Sequence, residues 1–181
     1  MNHYGGKELA ASFRTVRKNT LRIAEEIPEE KYGYRAAPET RSVGELLAHI
    51  AVSNSFQEEV NAKQRLTTMV GFDFPALMQR MRAAENTPRT KAQTIELLQS
   101  SGEKWATWLE GVSDEFLSES VAMPPGGSPP SRTRFDMLLS VKEHEMHHRA
   151  QLMLIERIIG IVPHLTRERQ ARTAEAAVAK K

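Results

Sequence analysis

The sequence predicts an all-α protein built as a four-helix bundle. Apolar residues recur at helical spacing in four long stretches of the 181-residue chain. Alternating apolar and polar runs rich in Val, Ile and Thr, which would indicate strands, are absent. Turn-rich segments separate the four stretches, so we expect four antiparallel helices, whose interior is a usual place for a metal held by facing side chains.

The first helix is predicted from Leu9 to Ile27. Proline cannot continue a helix, so Pro28 marks its end. One face of this helix is apolar, a pattern typical of a helix that packs on a core. The stripe consists of Phe13, Val16, Thr20, Ile23, Ala24 and Ile27.

The second helix is predicted from Val43 to about Lys63. Ser42 and Glu45 have the spacing of a capping box, in which serine caps the first turn and glutamate reaches back to the cap. The inner face carries Leu46, Ile50, Ser53, Phe56 and Val60. Glycine and proline on both sides favour a shorter helix from Ala76 to Ala84.

The third main helix is predicted from Lys91 to Leu109, between a Thr90 and Gln93 capping box and Gly111. It carries Trp105 and Trp108 three residues apart, so the two rings can share one face. Aromatic pairs at helical spacing usually supply buried area, and we interpret this pair as core rather than as a ligand platform.

The run MPPGGSPPS, from Met123 to Ser131, is too rich in proline and glycine for regular structure, and we interpret it as a loop and a candidate lid. Thr133 and Asp136 then cap the last main helix, which is predicted to continue to Ile159 before Gly160.

The chain is expected to form a single metal-binding domain over residues 1–163. The tail, 164–181, is basic and Ala-rich with no apolar stripe, and is predicted to be a frayed helix or disordered. It carries a net charge of +3, which leaves the body at −1. A body so close to neutral argues against a nucleic-acid partner. No apolar run has signal-peptide or membrane-spanning length, so we expect a cytoplasmic protein with no membrane partner.

The chain contains six histidines and no cysteine, so any metal must be bound by His, Asp or Glu. His144 and His148 lie four residues apart in the last helix and therefore one turn apart on one face. That face also carries Met137, Val141, Gln151 and Ile155, which points the pair toward other helices. Two interpretations stay open: the imidazoles share a metal, or each bonds to a neighbouring helix.

His49, on the inner face of the second helix, would complete a set of three ligands with His144 and His148. Three histidines with an open fourth position are typical of catalytic metal sites. A lone histidine on such a face is more often a satisfied core residue. His3 and His164, near the ends of the chain, are expected to be mobile or solvated and are excluded from the site.

The same run, His144-Glu145-Met146-His147-His148, also fits the H-E-x-x-H pattern of zinc proteases. In that alternative Glu145 is the general base. His147 lies at the border of the inner face, either beside the ligands or on the surface. No catalytic residue is assigned at this point.

The segments SVGELLAHIA (Ser42 to Ala51) and HEMHHRAQL (His144 to Leu152) resemble the two histidine motifs of the DinB/YfiT-like family of helical metalloproteins. The order and spacing match over nearly the whole chain. The resemblance implies an up-down-down-up four-helix bundle and places the metal triad on His49, His144 and His148. It also implies a homodimer.

The resemblance further implies an enzyme that uses a low-molecular-weight thiol such as bacillithiol, mycothiol or glutathione to modify a small-molecule substrate. The expected cofactor is a divalent metal, zinc or nickel first and iron or manganese next, because imidazole suits several of these ions. Two alternatives remain: a hydrolase that uses metal-bound water, and a non-catalytic metal-binding or dimerisation module.

Overall fold

A computed structural model describes residues 4–178 of the chain and confirms the all-α prediction. The helices are α1 (Gly6–Glu26), α2 (Val43–Ser53), α3 (Ser55–Gln57), α4 (Phe74–Glu85), α5 (Lys91–Glu110), α6 (Asp114–Ser118), α7 (Arg134–Ile158) and α8 (His164–Val178). A π-helical segment, Glu58–Lys63, continues α3, and a single 3₁₀ turn covers Glu29–Lys31. Two three-residue strands, β1 (Ser120–Ala122) and β2 (Ser131–Thr133), pair antiparallel before α7.

Helices α1, α2, α5 and α7 form a four-helix bundle with up-down-down-up topology, as the sequence resemblance implied. At one end, Lys91 Nζ of α5 donates to the carbonyl of Ile27 just after α1, at 2.7 Å, so α5 runs antiparallel to α1. Val43, at the beginning of α2, packs in the same cluster as Ile27, so α2 also starts at this end. At the other end, the ring of Phe135 in the first turn of α7 lies edge-on to Tyr4, so α7 runs parallel to α1.

The predicted helix starts are confirmed at Ser42, Thr90 and Thr133, whose hydroxyls accept from backbone amides three residues ahead. The second helix is less regular than predicted, because α2 ends at Ser53. Ser53 Oγ donates to a carbonyl of its own helix at 2.9 Å, a bond that competes with the helical ladder. The buried Asn54 next to it donates instead to the carbonyl of Ser101 on α5.

Two apolar clusters fill the bundle, one toward each end. The first contains Ile23, Leu47, Leu98 and Leu152. The second contains Phe13, Leu109 and Leu138 together with Trp105, which stacks on Trp108 with ring centroids 4.9 Å apart. The prediction that the tryptophan pair belongs to the core is therefore confirmed.

A buried ion pair lies between the two apolar clusters. Arg17 Nη2 of α1 donates to Glu145 Oε2 of α7 at 2.9 Å, and the side chains are only 5% and 1% exposed. Arg17 Nη1 also donates to the carbonyl of Leu98, at 2.5 Å. Gly102 makes room for this arginine, because a Cβ there would lie 2.7 Å from Arg17 Nη1. These polar contacts therefore link α1, α5 and α7 in the middle of the bundle, between the two apolar clusters.

The beginning of the tail is docked on the bundle, which corrects the expectation that His164 is mobile or solvated. Residues from His164 to Val178 form α8, and His164 itself is 4% exposed rather than solvated. Its Nε2 lies 3.4 Å from Asn19 Oδ1, and Arg167 pairs with Glu26 of α1 at 2.7 Å. Polar contacts, not an apolar stripe, hold this first turn, which is why the hydropathy pattern did not predict it.

Glu156, near the end of α7, is fully buried, and its carboxylate has no hydrogen-bond partner within residues 4–178. Burial raises its pKa to about 7, and the nearby negative charge of Glu26 acts in the same direction. The folded protein therefore binds a proton more tightly here than the unfolded chain does. Its stability is expected to fall as the pH rises from the ordinary glutamate pKa through 7.

The Glu156→Gln variant should consequently be more stable than the wild type at pH 8, by about 1–3 kcal/mol, because it removes a buried charge. At pH 5 the folded wild type is still neutral at this position, so the difference between the two free energies of unfolding should be much smaller than at pH 8. Urea unfolding at the two pH values measures the difference. Glu143→Gln, a change at an exposed position of α7, is the control. Equal stabilities at pH 8 would contradict the assignment of a buried, ionising Glu156.

No helix within residues 4–178 is long and apolar enough to cross a membrane.

Candidate metal centre

The three histidines predicted as ligands lie together between α2 and α7. His144 Nε2 is 3.2 Å from His49 Nε2 and 3.1 Å from His148 Nε2. One nitrogen from each ring lies within 4.8 Å of the other two. In the described part of the chain, this is the one group of three or more His, Asp or Glu side chains close enough to share an ion. His148 is buried and the other two are half-buried.

Two of the rings are fixed from their outer side. His49 Nδ1 lies 2.9 Å from Glu85 Oε2, and because a carboxylate can only accept, His49 Nδ1 is the donor. His148 Nδ1 lies 2.8 Å from Gln151 Oε1 in the next turn of α7. Such outer partners are typical of metal-ligating histidines, since they set the tautomer and the ring orientation.

Glu85 belongs to α4 and is itself fixed by Arg41, whose Nε donates to Glu85 Oε1. Burial opposes ionisation of Glu85, but the hydrogen bonds from Arg41 and His49 outweigh it and hold the pKa of this carboxyl below its usual value. Glu85 is therefore ionised at neutral pH and keeps the proton of His49 on Nδ1.

Burial lowers the pKa of His144 to about 4, and the neighbouring imidazoles of His148 and His49 contribute in the same direction. Burial is also the main cause that lowers the pKa of His148. Both rings are therefore neutral at pH 7, the form that coordinates a metal. His144 Nδ1 is buried and has no hydrogen-bond partner within residues 4–178.

The arrangement fits a cation better than it fits hydrogen bonds alone. With their protons on Nδ1, His49 and His148 both direct a lone pair toward His144 Nε2. A single proton on His144 Nε2 can satisfy only one of those lone pairs. Tetrahedral zinc with nitrogen ligands places neighbouring nitrogens about 3.3–3.4 Å apart, close to the observed 3.1 and 3.2 Å. We infer that the donor set is suited to a divalent ion.

The structure corrects the zinc-protease alternative. Glu145 lies about 100° around α7 from His144, and it faces α1 while His144 faces α2. Its carboxylate accepts three hydrogen bonds from Arg17 and is 1% exposed. A general base must reach the reacting water or substrate, and Glu145 is enclosed in the bundle instead. The interpretation of Glu145 as a general base is wrong.

The other histidines are not ligands in this arrangement. His147 is exposed, and its Nε2 lies 3.3 Å from the side-chain nitrogen of Gln151. His164 lies at the start of α8, away from the cluster. His3 lies outside the described residues.

Two clefts meet at the histidines. The larger of the two, here called the polar cleft for its charged rim, has a volume of about 660 Å³ and touches His148. Polar side chains line one part of it (Arg35, Glu39, Thr40, Glu45 and Gln151), and Leu46, Leu154 and Ile155 line the rest. The apolar cleft, about 420 Å³, touches His49 and His144 and is lined mainly by Phe56, Phe74, Met78 and Met81. Arg41 and Glu85 line both clefts. The cluster can thus be approached from two sides.

None of residues 123–131 lines either cleft. The loop precedes Arg134 at the start of α7, about 15 Å along the helix from His144. Its interpretation as a lid over the histidines is therefore not supported.

Sequence reasoning missed Glu85 and Arg41. In the sequence, Glu85 is only a glutamate at the end of a short predicted helix, and a charged residue there is common on any solvent-exposed helix. Leu77 is the one buried residue of α4, so the apolar pattern of that helix is too weak to orient it. Packing against α2 brings Glu85 to His49.

The family model described as the DinB superfamily matches residues 12–152. No curated protein matches the chain.

Several solved structures share the fold. YfiT from Bacillus subtilis, described as a probable metal-dependent hydrolase with an unusual four-helix bundle topology, is 14% identical with a TM-score of 0.65, over 89% of this chain and 91% of that one. A DinB-like protein, YjoA from Bacillus subtilis, is 23% identical with a TM-score of 0.62, over 84% and 92%. A Streptococcus pneumoniae protein is 16% identical with a TM-score of 0.64, over 88% and 94%.

Proposed function

The chain belongs to the DinB superfamily, and on that premise we propose that it is a metal-dependent enzyme that activates a low-molecular-weight thiol for transfer to a small-molecule substrate. One observation carries the proposal: three imidazole nitrogens converge between two clefts, and two of the rings are held from behind by Glu85 and Gln151. A structural metal site would use a fourth protein ligand. None is present within residues 4–178, because this cluster contains three potential ligands.

A divalent cation held by His49, His144 and His148 would keep an open position and lower the pKa of a thiol or water bound there. Three neutral imidazoles add no negative charge, so the cation retains its full effect on that ligand. Glu85 orients His49, and Arg41 holds Glu85 in place. The chain has no cysteine, so the thiol must come from outside the protein.

A hydrolase is the second candidate, and the description of YfiT as a probable metal-dependent hydrolase favours it. The same three imidazoles serve either reaction, because the open position accepts a water as readily as a thiol. The reactions differ in what binds beside the histidines. The homodimer and the cytoplasmic location remain predictions.

The test uses the protein loaded with Co(II), to which glutathione, bacillithiol and mycothiol are added in turn. Direct coordination of sulfur is expected to produce a saturable charge-transfer band, and no cysteine of the chain can contribute to it. Binding as thiolate releases a proton, so the apparent affinity should rise with pH until the free thiol is ionised. The His144→Ala variant is the control and should show no band.

Absence of the band at saturating thiol, with Co(II) fully bound, would contradict thiol activation. Ester or amide hydrolysis by the Zn(II) protein, lost in the His144→Ala variant, would then identify the hydrolase. Metal binding without either reaction would leave a non-catalytic metal-binding module.

A further inference from the structure

The apolar cleft has fewer charged side chains than the polar cleft, and it reaches His49 and His144 whereas the polar cleft reaches His148. The main walls of the apolar cleft are two phenylalanines and two methionines, and it ends at His49 and His144. Apolar surface so close to three metal-ligand nitrogens is typical of a substrate subsite, in which nonpolar groups give affinity and a few polar groups give orientation.

The walls of the apolar cleft come from two elements. Phe56 of α3 and Phe74 at the start of α4 contact each other edge-on, with ring centroids 5.7 Å apart. Met78 and Met81 lie three residues apart on α4 and therefore face the same side of that helix. Methionine side chains are flexible and polarizable, so this wall can adapt to branched or aromatic groups.

The polar groups of the apolar cleft are mostly occupied. The hydroxyls of Ser53 and Ser140 donate to carbonyls of the preceding turn at 2.9 and 2.6 Å. Gln57 is only 5% exposed, and its Oε1 accepts from Asn61 Nδ2 at 2.8 Å. The amide nitrogen of Gln57 has no acceptor within residues 4–178. This nitrogen keeps some contact with solvent, and Gln57 lines the cleft, so it can donate to an acceptor atom of a bound molecule and orient that molecule.

We propose that the apolar cleft binds the acceptor substrate of the reaction and selects small molecules that carry an aromatic or branched-alkyl group with one hydrogen-bond acceptor. The nonpolar group lies between Phe56, Phe74, Met78 and Met81, and the acceptor atom faces Gln57. The role of the bound molecule as the substrate that receives the thiol rests on the proposed function. The cleft's preference for nonpolar molecules is independent of the reaction.

The size of the apolar cleft sets a limit on the substrate. At about 420 Å³ it lies in the lower part of the range of small-molecule sites, and it has room for a phenyl ring with a short linker. The polar cleft on the other side of Arg41 and Glu85 leaves a separate approach for the thiol. Two ligands could therefore reach the histidines at the same time.

The experiment titrates the Zn(II)-loaded protein with benzyl alcohol and follows the methionine methyl groups by carbon-13 NMR. Benzyl alcohol should shift the signals of Met78 and Met81, while glycerol, the polar control, should not. In a series of primary alcohols, each added methylene that enters the cleft should tighten binding about fourfold. Met81→Trp should weaken benzyl alcohol binding about tenfold, because the larger ring occupies the space of the ligand.

Met146→Trp is the matched control, since Met146 is exposed on α7 and lies outside the cleft. Met78→Glu gives a second test that does not depend on side-chain volume. It places a charge in the nonpolar wall of the cleft and should therefore also weaken the binding of benzyl alcohol. Met78 and Met81 lie beside Leu77, the one buried residue of α4, so both variants should keep their circular dichroism.

Equal shifts with benzyl alcohol and glycerol, or unchanged affinity in both cleft variants, would overturn the inference. The two proposals can fail separately. Benzyl alcohol binding without a thiol charge-transfer band would leave the cleft assignment standing and remove the thiol reaction. A thiol charge-transfer band without benzyl alcohol binding would support the thiol reaction and remove the cleft assignment.

Discussion

Replacement of His144 or His148 by alanine is expected to abolish stoichiometric binding of a divalent cation while the bundle stays folded. Each change removes one of three nitrogens that lie within 4.8 Å of one another. Two remaining imidazoles are too few for a tight site. The fold should survive, because the two apolar clusters of the bundle contain neither histidine.

Two further variants test whether the loss of metal binding is specific to the three ligand histidines. Glu85→Ala keeps all three ligands but frees the Nδ1 side of His49, and should weaken metal binding about 10–100-fold. His147→Ala is the matched control on the same helix, and it should bind metal as the wild type does because His147 is exposed and outside the cluster.

Metal content after dialysis, measured by elemental analysis, gives the occupancy of each variant, and calorimetry gives its affinity. Circular dichroism checks that each variant is folded. Full occupancy in the His144→Ala and His148→Ala double variant would exclude the helical pair from the site.

The Glu145→Ala variant is expected to lose about 3–5 kcal/mol of folding free energy. The variant leaves the guanidinium of Arg17 buried without its counter-charge, between two apolar clusters. Glu145→Gln should lose less, because the amide oxygen can still accept from Arg17. The exposed Glu143→Ala on the same helix should change stability by no more than about 0.5 kcal/mol.

Urea unfolding followed by circular dichroism measures these differences. The combined Arg17→Met and Glu145→Leu variant removes both charges and should recover most of the loss, since nonpolar side chains can replace a buried ion pair. A Glu145→Ala protein as stable as the wild type would contradict the structural role of this glutamate.

The sequence by itself predicted the class of the fold and the three histidines that lie together in the structure. The starts of α2, α5 and α7 follow from Ser42, Thr90 and Thr133, because helix capping depends on residues only three positions apart. The pairing of His144 with His148 likewise follows from local geometry. The place of His49 in the same set needed the second helix, and the order of the helices came from the family resemblance.

Only the tertiary structure decided what surrounds those ligands. The helical period places residues around an axis but does not say which neighbouring helix each side faces. In the bundle α7 contacts both α1 and α2, so its inward-facing arc includes the buried Glu145 toward α1 and the half-buried His144 toward α2. Glu145, which the protease alternative would have used as a general base, pairs with Arg17 on the side of α7 that faces α1.

The same reason applies to Glu85, Arg41 and His164. Their roles come from contacts with residues far away in the chain: Glu85 with His49, Arg41 with Glu85, and His164 with Asn19. A hydropathy pattern predicts the burial of nonpolar side chains, and it does not predict where polar side chains such as these will lie. Their partners become visible only when the helices are packed, because packing determines which charges and ring nitrogens meet.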